Sequence, residues 1–540
     1  MPGHIGARTA GGLIWAGLFS VLALAFARGY THEYFYNADA YDFAQMGRQL
    51  AEGEGFTTLQ AFPRHLVFFE GRGLEDQAPW PNLYRYPLSV TAAGFFQLLI
   101  ANPFVAAVVR SGVFFLAGLL VLGLLAARIS GSRLIGVAIV AVLAADRELW
   151  QDAYSGMVDT QGTFFLALAA LALLFAPRTA RGGALIGGAC AALYLTKTQF
   201  AGALPVAFVL LALEVKREAR LRILVGFLAG AVVLLVPWMV HNLVHAGDPN
   251  FSFTTTRSLG FATTRVGSDF EMRIDAPMSV GGVISGYGAE LWTKFRFALV
   301  QHLKQPIYQN PAYSVLAYLL LFGLLPRHRF PAGEKALLFV RFALGMVAMH
   351  VIAESLSYPT PRFAYPYRGL MLIGAVLLAE GLLRSFTSWT PALCRSVLAL
   401  ALSAVAALGL YFFAAEGLGP APVAAPEVPV AELQALCSEE ALIASDVSFA
   451  LALDARRRSV RLPTYPDDLL TLDDEVRPID FVYISRFVPL HSKRKEPRAT
   501  LFATYAHYGT FLSEPGFLDR YRMLRSFPDG GRLYGKREVR

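Results

Sequence analysis

The sequence predicts an α-helical polytopic membrane protein that carries a soluble α/β domain at its C-terminal end. Of its 540 residues, 55% are hydrophobic and only 16% are charged, whereas an ordinary soluble domain has about 25% charged residues. The apolar runs recur at close to the roughly 20 residues that a helix needs to cross a hydrocarbon core. We therefore predict a transmembrane domain over 1–415, a Pro/Ala linker over 416–430 and an extracytoplasmic α/β domain over 431–540.

About eleven apolar runs are predicted to cross the membrane. They are 11–29, 104–127, 134–146, 160–176, 183–195, 198–214, 222–242, 311–326, 335–353, 366–383 and 394–414. The short basic turns between them all fall on the side of Arg8, which the positive-inside rule makes cytoplasmic. Alternatively, "AFA" at 25–27 is the cleavage site of a signal peptide. In both cases the chain that follows the first run lies outside the cytoplasm.

One apolar stretch, "PLSVTAAGFFQLLIANP" (87–103), is predicted not to cross. It holds about 14 residues between two prolines, which is short for a span. Counting it as a span would place every later basic turn outside, so we assign it to the outer interface as an amphipathic or re-entrant helix. With that assignment the outer segments are 30–103, 146–161, 243–310, 354–366 and the tail from about 416 onwards.

The C-terminal tail begins with the linker "GPAPVAAPEVP" (419–429). Short apolar runs such as "ALIASDV" (441–447) and "DFVYIS" (480–485) follow, with turn signals such as "PDGG" (528–531). This pattern is typical of a small α/β domain. The net charge of +8 lies in the loops between spans and forms no basic stripe with interleaved aromatic residues, so we expect no nucleic-acid binding. The chain has only 3 cysteines, too few and too scattered for a disulfide framework or a metal site.

Two carboxylates, Asp39 and Asp42, lie about one helical turn apart directly after the first apolar run. Acidic groups inside a bilayer cost about 2.5–3.5 kcal/mol and are usually functional. This pair lies at the boundary, where acids also suit the N-terminus of a solvated helix capped by Asn37 or Asp39. The residues alone leave both interpretations open.

Several stretches, taken in order, resemble motifs of the GT-C superfamily of membrane glycosyltransferases. These enzymes include the protein O-mannosyltransferases and the lipid A aminoarabinose transferases. In "YNADAYDFAQMGRQLAEGEGFT" (36–57), Asp39 occupies the position of the family's key acid. The other matching stretches are "YRYPLSVTAAGFF" (84–96), "DAYSGMVDTQGTFFLAL" (152–168), "LYLTKTQF" (193–200), "VPWMVHNLVHAGDP" (236–249) and "PRFAYPYRGLML" (361–372). The chain departs from the family at four positions. Tyr86 stands where a proline is usual, Lys197 and His241 stand where an arginine is usual, and Gln199 also differs from the family's residue.

The resemblance implies an inverting transfer of a hexosyl or pentosyl group from a polyprenyl-phosphate carrier to a cell-envelope glycan, lipid or protein. Asp39 would be the general base, and Asp42 would orient it or raise its pKa by like-charge repulsion. Lys197, Arg362 and Arg85 would hold the carrier phosphate, arginine bidentately and lysine as a point charge. Alternatively these cations extend towards lipid headgroups.

Two further acids, Asp152 and Asp159, are candidates for an acceptor or metal site. Some GT-C enzymes hold a divalent cation, such as Mg²⁺ or Mn²⁺, with acids from two outer loops. No tight DxD motif occurs in these loops, so we favour a mechanism that requires no metal or other cofactor. We interpret His241 and Asn242 as hydrogen-bonding residues of a structural turn, because a lone histidine is no metal site.

Two other classes of protein fit parts of the pattern. A transporter or flippase for a lipid-linked or polar substrate would also carry intramembrane charges and broken spans. An anchored scaffold would use the tail to recruit a partner but would leave the acids and Lys197 without a role. For the glycosyltransferase we expect a bacterial-type inner membrane, a cytoplasmic N-terminus, contact with membrane lipid and an extracytoplasmic acceptor.

Overall fold

The fold is that of a computed structural model of the chain. The structure describes residues 3–29, 38–74, 77, 79–260, 272–304, 333–357, 361–416, 428–463, 465–486, 508, 511 and 513–537. The predicted span 311–326 and most of the linker lie outside these residues. Cys190, Cys394 and Cys437 are all buried as free thiols, consistent with packing roles for the first two.

The membrane domain is built from helices that the apolar runs form. In chain order, the helices up to the linker are α1 Gly3–Gly29, α2 Ala38–Ala51, α3 Pro63–Glu70, α4 Pro87–Leu99, α5 Pro103–Ser130, α6 Arg133–Ala144, α7 Arg147–Tyr154, α8 Asp159–Phe175, α9 Ala180–Tyr194, α10 Ala203–Glu214, α11 Arg217–Ala246, α12 Phe253–Gly260, α13 Val280–Lys304, α14 Glu334–Leu356, α15 Arg368–Phe386 and α16 Pro391–Glu416. Short 3₁₀ turns cover Thr198–Phe200 and Pro361–Tyr367.

Among the described helices, 5 are long and apolar enough to cross a membrane, and 6 if α7 and α8, bent by 113°, count as one span. Several predicted spans are shorter helices here, such as α6, with 12 residues, and α10, with 12 residues. The chain is thus a multi-pass membrane protein, and the count of eleven stays a prediction.

Helices α9 and α11 pack backbone to backbone through glycines. Gly183 and Gly187 on α9 face α11, and Gly226 and Gly230 on α11 face α9. A Cβ atom on Gly187 would lie 1.9 Å from the carbonyl oxygen of Phe227, far inside van der Waals contact. Small residues permit this close approach where lipid gives no hydrophobic driving force between helices.

The first outer loop contains three of these helices rather than a span. Helix α4, predicted to stay at the interface, has 13 residues, fewer than a crossing needs. Its Phe95, Leu98 and Leu99 are exposed, as expected of a helix that presents an apolar face to lipid. Its Ala93 and Gly94 lie against Gly47 of α2, so α4 supports the helix that carries the acidic pair.

The residues after the linker form a six-stranded sheet to which the loop between α2 and α3 contributes a strand. Its strands are β2 Gln60–Ala61, β4 Leu442–Ser445, β5 Arg458–Arg461, β6 Phe481–Ile484, β7 Tyr521–Ser526 and β8 Arg532–Lys536, in the spatial order β2-β5-β4-β6-β8-β7. Strands β2, β5, β4 and β6 run parallel to one another, while β8 pairs antiparallel with β6 and β7. A two-stranded ladder joins β1 Thr57–Thr58 to β3 Trp80–Pro81. The sheet is therefore not made by 431–540 alone.

The face of α2 opposite the acidic pair docks on the C-terminal residues. Arg48 donates to the carbonyl oxygen of Ala452 at 2.9 Å and to that of Leu453, in a π-helical turn over Leu451–Ala455. Tyr41 packs on Phe449, with ring centroids 5.4 Å apart. The helix that carries Asp39 and Asp42 is thus held by both the membrane domain and the sheet domain.

Candidate functional site

The site is built around Asp39, in the first turn of α2. Arg85 joins the two acids: its Nη2 donates to Asp39 Oδ1 at 2.7 Å and its Nε to Asp42 Oδ2 at 2.7 Å. Arg362, from the late outer segment, donates from Nη2 to Asp39 Oδ2 at 2.9 Å. We call Asp39, Asp42, Arg85 and Arg362 the Asp39 cluster. Three segments far apart in the sequence therefore meet at one carboxylate.

The electrostatics of the Asp39 cluster differ from the sequence expectation. Burial acts to raise the pKa of Asp39, but Arg85, Arg362 and Arg257 outweigh it and hold the pKa well below its ordinary value. Burial acts to lower the pKa of Arg85, but Asp39 and Asp42 raise it above its ordinary value. Of the two roles expected for Asp42, a raised pKa of Asp39 is not found, because Arg85 bridges the two acids and the arginines hold that pKa down. Orientation of Asp39 by Asp42 stays a prediction.

A second ion pair continues the site. Lys197 donates from Nζ to Asp159 Oδ1 at 2.6 Å, and Asp159 is fully buried at the start of α8. The same ammonium lies 4.1 Å from the ring centroid of Phe363, and the guanidinium carbon of Arg362 lies 5.3 Å from that centroid. Asp152, buried on α7, interacts electrostatically with Asp159, Lys197 and Arg362. We call the ion pair of Lys197 with Asp159 the lysine pair. The Asp39 cluster and the lysine pair thus meet around Arg362 and Phe363.

The turn that presents Arg85 is built by Asn82. The Oδ1 atom of Asn82 accepts from the backbone N–H groups of Tyr84 and Arg85 at 3.0 and 2.9 Å, and its Nδ2 donates to the Arg85 carbonyl at 2.9 Å. The guanidinium of Arg85 then lies over the Tyr84 ring, 4.2 Å from its centroid. The side chain is thereby fixed before any ligand arrives.

His241 and Asn242 lie outside the ion-pair network. His241 donates from Nε2 to the Asn82 carbonyl at 2.9 Å and stacks on Trp238 with ring centroids 5.3 Å apart. Asn242 donates from Nδ2 to the Pro249 carbonyl at 3.3 Å. Both side chains bond to backbone, as the structural interpretation of this motif expects. Through Asn82, His241 supports the turn that carries Arg85.

Sequence reasoning missed two cations of the site region. Arg257, on α12, donates to the Tyr84 hydroxyl and acts electrostatically on Asp39. Arg368 is buried and donates to Asp146 Oδ2 at 2.8 Å and to Glu148, which fixes α7 and its Asp152. Arg368 stands in the quoted late motif, but no local pattern marks Arg257, since its partner is more than 170 positions away in the chain.

Three acids of the site are each bonded to a cation. Asp39 and Asp42 face Arg85, and Asp159 faces Lys197, so one oxygen of each is engaged by a positive group. Over the described ranges, no group of three or more His, Cys, Asp and Glu side chains is placed to hold a metal. The metal requirement stays a prediction.

Comparison with known proteins identifies the fold. No family model matches the chain, and no curated protein matches it in sequence. Among solved structures it is similar to ArnT from Cupriavidus metallidurans bound to undecaprenyl phosphate, with 15% identity, a TM-score of 0.54, and 97% of this chain and 98% of that chain covered. It is also similar to the archaeal oligosaccharyltransferase AglB from Archaeoglobus fulgidus in complex with an inhibitory peptide and a dolichol-phosphate, with 12% identity, a TM-score of 0.54, and coverage of 97% and 74%.

Fold and site together define a multi-pass membrane protein that carries a network of paired acids and cations. Both solved neighbours are GT-C glycosyltransferases that align over nearly the whole of this chain. The chain therefore shares the fold of ArnT and AglB, which is the fold that the motif resemblance predicts.

Proposed function

We propose that the chain is an inverting glycosyltransferase that moves a sugar from a polyprenyl-phosphate carrier to an extracytoplasmic acceptor. The observation that carries the proposal is the pairing of Asp39 with both Arg85 and Arg362, beside Lys197. Sugar transfer from such a carrier needs a base for the acceptor and cations for the departing phosphate. The fold is shared with ArnT and AglB, which have been solved with polyprenyl phosphates.

In the proposed step, an acceptor oxygen attacks the anomeric carbon from the face opposite the carrier phosphate. The bond between this carbon and the phosphate oxygen breaks, and its electron pair leaves with the phosphate. The acceptor proton passes to a carboxylate oxygen of Asp39. Arg85 and Arg362 stabilise the negative charge that develops on the phosphate, since both guanidinium groups are preorganised by their ion pairs.

The low pKa of Asp39 in this structure gives carrier binding a second role. A carboxylate held by two arginines is a weak base. A phosphate that enters the cluster competes with Asp39 for Arg85 and Arg362. Binding of the donor therefore raises the pKa of Asp39 and frees one of its carboxylate oxygens to face the acceptor.

The lysine pair supplies the neighbouring surface. Among the residues that the structure describes, nothing donates a hydrogen bond to the second, buried oxygen of Asp159, which is costly unless a ligand or water donates to it. We assign Asp159 and Asp152 to hydrogen bonds with hydroxyl groups of the transferred sugar or the acceptor. We assign Lys197 to the orientation of these two acids and to contact with the phosphate. Whether these groups bind the sugar or the acceptor, we place the site on the extracytoplasmic side of a bacterial-type inner membrane.

The test is transfer from radiolabelled polyprenyl-phosphate sugars by the purified protein, with Asp39→Asn beside the wild type. Asn preserves the shape of Asp but cannot accept the proton, so we expect transfer to be lost. Carrier binding should be retained or tightened, because Arg85 and Arg362 no longer share their charge with a carboxylate. Glu52→Gln is the matched control, since Glu52 follows the same helix and its ion pair, with Arg456, is exposed.

Full transfer by Asp39→Asn would remove the base assignment. Carrier binding without transfer to any acceptor in the wild type, combined with movement of the carrier across vesicles, would instead identify a flippase. Repeating the transfer assay with and without EDTA measures the metal requirement, and we expect equal rates.

A further inference from the structure

Helix α5 carries a buried cation near its start. Arg110 lies in this apolar helix, which is long enough to span a membrane, and its side chain is fully buried. Among the residues that the structure describes, no acid forms an ion pair with it, and its Nε and Nη1 atoms have no hydrogen-bond partner. A charged side chain within a span is costly and usually functional. Neither the sequence motifs nor the proposed transfer step gives Arg110 a role.

The hydrogen bonds of Arg110 go to the turn between α7 and α8, residues 155–158, which we call the corner. Its Nη2 donates to the carbonyl oxygens of Gly156 and Met157 at 2.6 and 3.3 Å, and the Ser111 hydroxyl donates to the Met157 carbonyl at 2.6 Å. Gly156 has a φ of 69°, a left-handed conformation that glycine adopts without strain. The two helices are bent by 113° at the corner. Two adjacent residues of α5 therefore fix the shape of this bend.

The corner determines where two acids of the site stand. Asp152 precedes it on α7, and Asp159 follows it as the first residue of α8. The Asp152 carbonyl accepts from the Ser155 hydroxyl at 2.6 Å, and that hydroxyl accepts from the Met157 N–H at 3.2 Å. A continuous set of hydrogen bonds thus leads from Asp152 through the corner to Arg110. A change in the corner therefore changes the position of Asp152 relative to the lysine pair.

The corner and Arg110 also contact the acidic helix α2. The Phe43 ring packs in one buried cluster with Val158 of the corner, and the guanidinium carbon of Arg110 lies 5.8 Å from the centroid of this ring. The guanidinium carbon of Arg85 lies 5.0 Å from the same centroid. Because Phe43 follows Asp39 by one helical turn, Arg110 meets the Asp39 cluster through this ring. Arg110 therefore contacts both the helix of the Asp39 cluster and the corner that precedes the lysine pair.

We propose that Arg110 is a positioning residue that sets the placement of the Asp39 cluster relative to the lysine pair. The inference rests on the proposed function, in which Asp39 takes the acceptor proton while Asp152 and Asp159 bind hydroxyl groups. An arginine suits this role because its planar guanidinium donates at its edge to carbonyl oxygens and offers its face to an aromatic ring. A lysine at this position would supply a point charge without that plane.

The test compares Arg110→Met and Arg110→Lys with the wild type in the transfer assay and in binding of radiolabelled polyprenyl phosphate. Met occupies much of the arginine's space without its donors, and it removes a buried charge that has no acid partner, so we expect the fold to survive. We expect kcat of Arg110→Met to fall by about 10- to 100-fold, as for a misplacement of about 1 Å, while the donor KM and carrier binding stay close to wild type. Arg110→Lys should give a kcat between those of Arg110→Met and the wild type.

Hydrogen exchange separates this inference from the proposed function, because it needs no sugar transfer. The amides of α2 and of the corner should exchange faster in Arg110→Met than in the wild type. If the wild type transfers no sugar, the proposed function fails, and unchanged exchange in Arg110→Met then overturns this inference separately. Arg128→Met is the matched control, because Arg128 is an exposed cation near the other end of the same helix and should leave every readout unchanged.

Wild-type kcat and exchange in Arg110→Met would overturn the inference. So would equal losses of kcat, carrier binding and melting temperature, since these would mark a residue that supports the fold in general. If Arg110→Met does not fold, Arg110→Lys decides: a lower kcat with retained carrier binding supports the positioning role, and a wild-type kcat overturns it.

Discussion

Replacing Arg48 by Met tests whether the C-terminal sheet domain positions the acidic helix. Arg48 donates to the carbonyl oxygens of Ala452 and Leu453, both in buried residues. Burial lowers the pKa of Arg48 to about 10, so the guanidinium is still charged at neutral pH. Met keeps most of the apolar stem but supplies no donor, leaving two carbonyl oxygens without this partner.

The size of the effect follows from these two bonds. A hydrogen bond from a charged donor contributes about 1.5–3 kcal/mol, and Arg48 is partly exposed. We therefore expect the contact between α2 and the domain to lose about 3 kcal/mol in total. Because Asp39 is carried by the same helix, its carboxylate is then less well placed, and turnover should fall by about 10- to 100-fold.

The assay combines initial rates of sugar transfer with hydrogen exchange of the α2 amides. We expect kcat to fall more than KM changes, together with faster exchange in α2 and in the turn over Leu451–Ala455. Arg456→Gln is the control, because Arg456 is 56% exposed and its pair with Glu52 belongs to a class that contributes at most about 1 kcal/mol. Equal activity of Arg48→Met and the wild type, or equal damage by Arg456→Gln, would refute the reasoning.

Three further predictions concern packing, pH and the Arg85 turn. Gly187→Leu should abolish a folded membrane domain, measured by size-exclusion chromatography, because even a Cβ atom meets the Phe227 carbonyl; normal elution would contradict the packing. Burial raises the pKa of Asp454 from 3.8 to about 6, although Arg48 acts to lower it. The contribution of the protonated Asp454 side chain to stability is therefore present below pH 3.8 and is lost as the pH rises through about 6. Asp454→Asn should therefore flatten the fall of the melting temperature across this window, and an unchanged slope would disprove it. His241→Ala removes one bond to the Asn82 carbonyl and should cost about 1 kcal/mol of donor affinity. The loss should be seen as a several-fold rise in the KM for the donor, with metal-free buffer as the control. An unchanged KM would contradict the supporting role of His241.

The parts of the fold that local patterns encode could be predicted. Apolar runs mark the helices, and the two prolines at the ends of 87–103 are the first residues of a short helix and of the long helix that follows it. The motif order also brought Asp39, Arg85, Lys197 and Arg362 into one hypothesis, and the structure places all four in one network. Their roles in transfer stay predictions.

What could not be predicted depends on contacts between distant segments. Arg257 acts on Asp39 from another outer loop, and nothing near it in the sequence distinguishes it from a solvated arginine. Strand β2 has only 2 residues, too few for an alternating pattern. A raised pKa of Asp39 was one of the two roles expected for Asp42, because the sequence shows a nearby acid. The arginine that bridges the two acids is visible only in three dimensions.

The pairing of β2 with β5 has a consequence for how the protein matures. The backbone N–H of Ser459 bonds to the Leu59 carbonyl, so two segments about 400 positions apart must meet. During synthesis the first loop is made long before the last domain, and it has to wait for those strands. A chain interrupted before residue 458 would insert into the bilayer yet leave its acidic helix without this anchor.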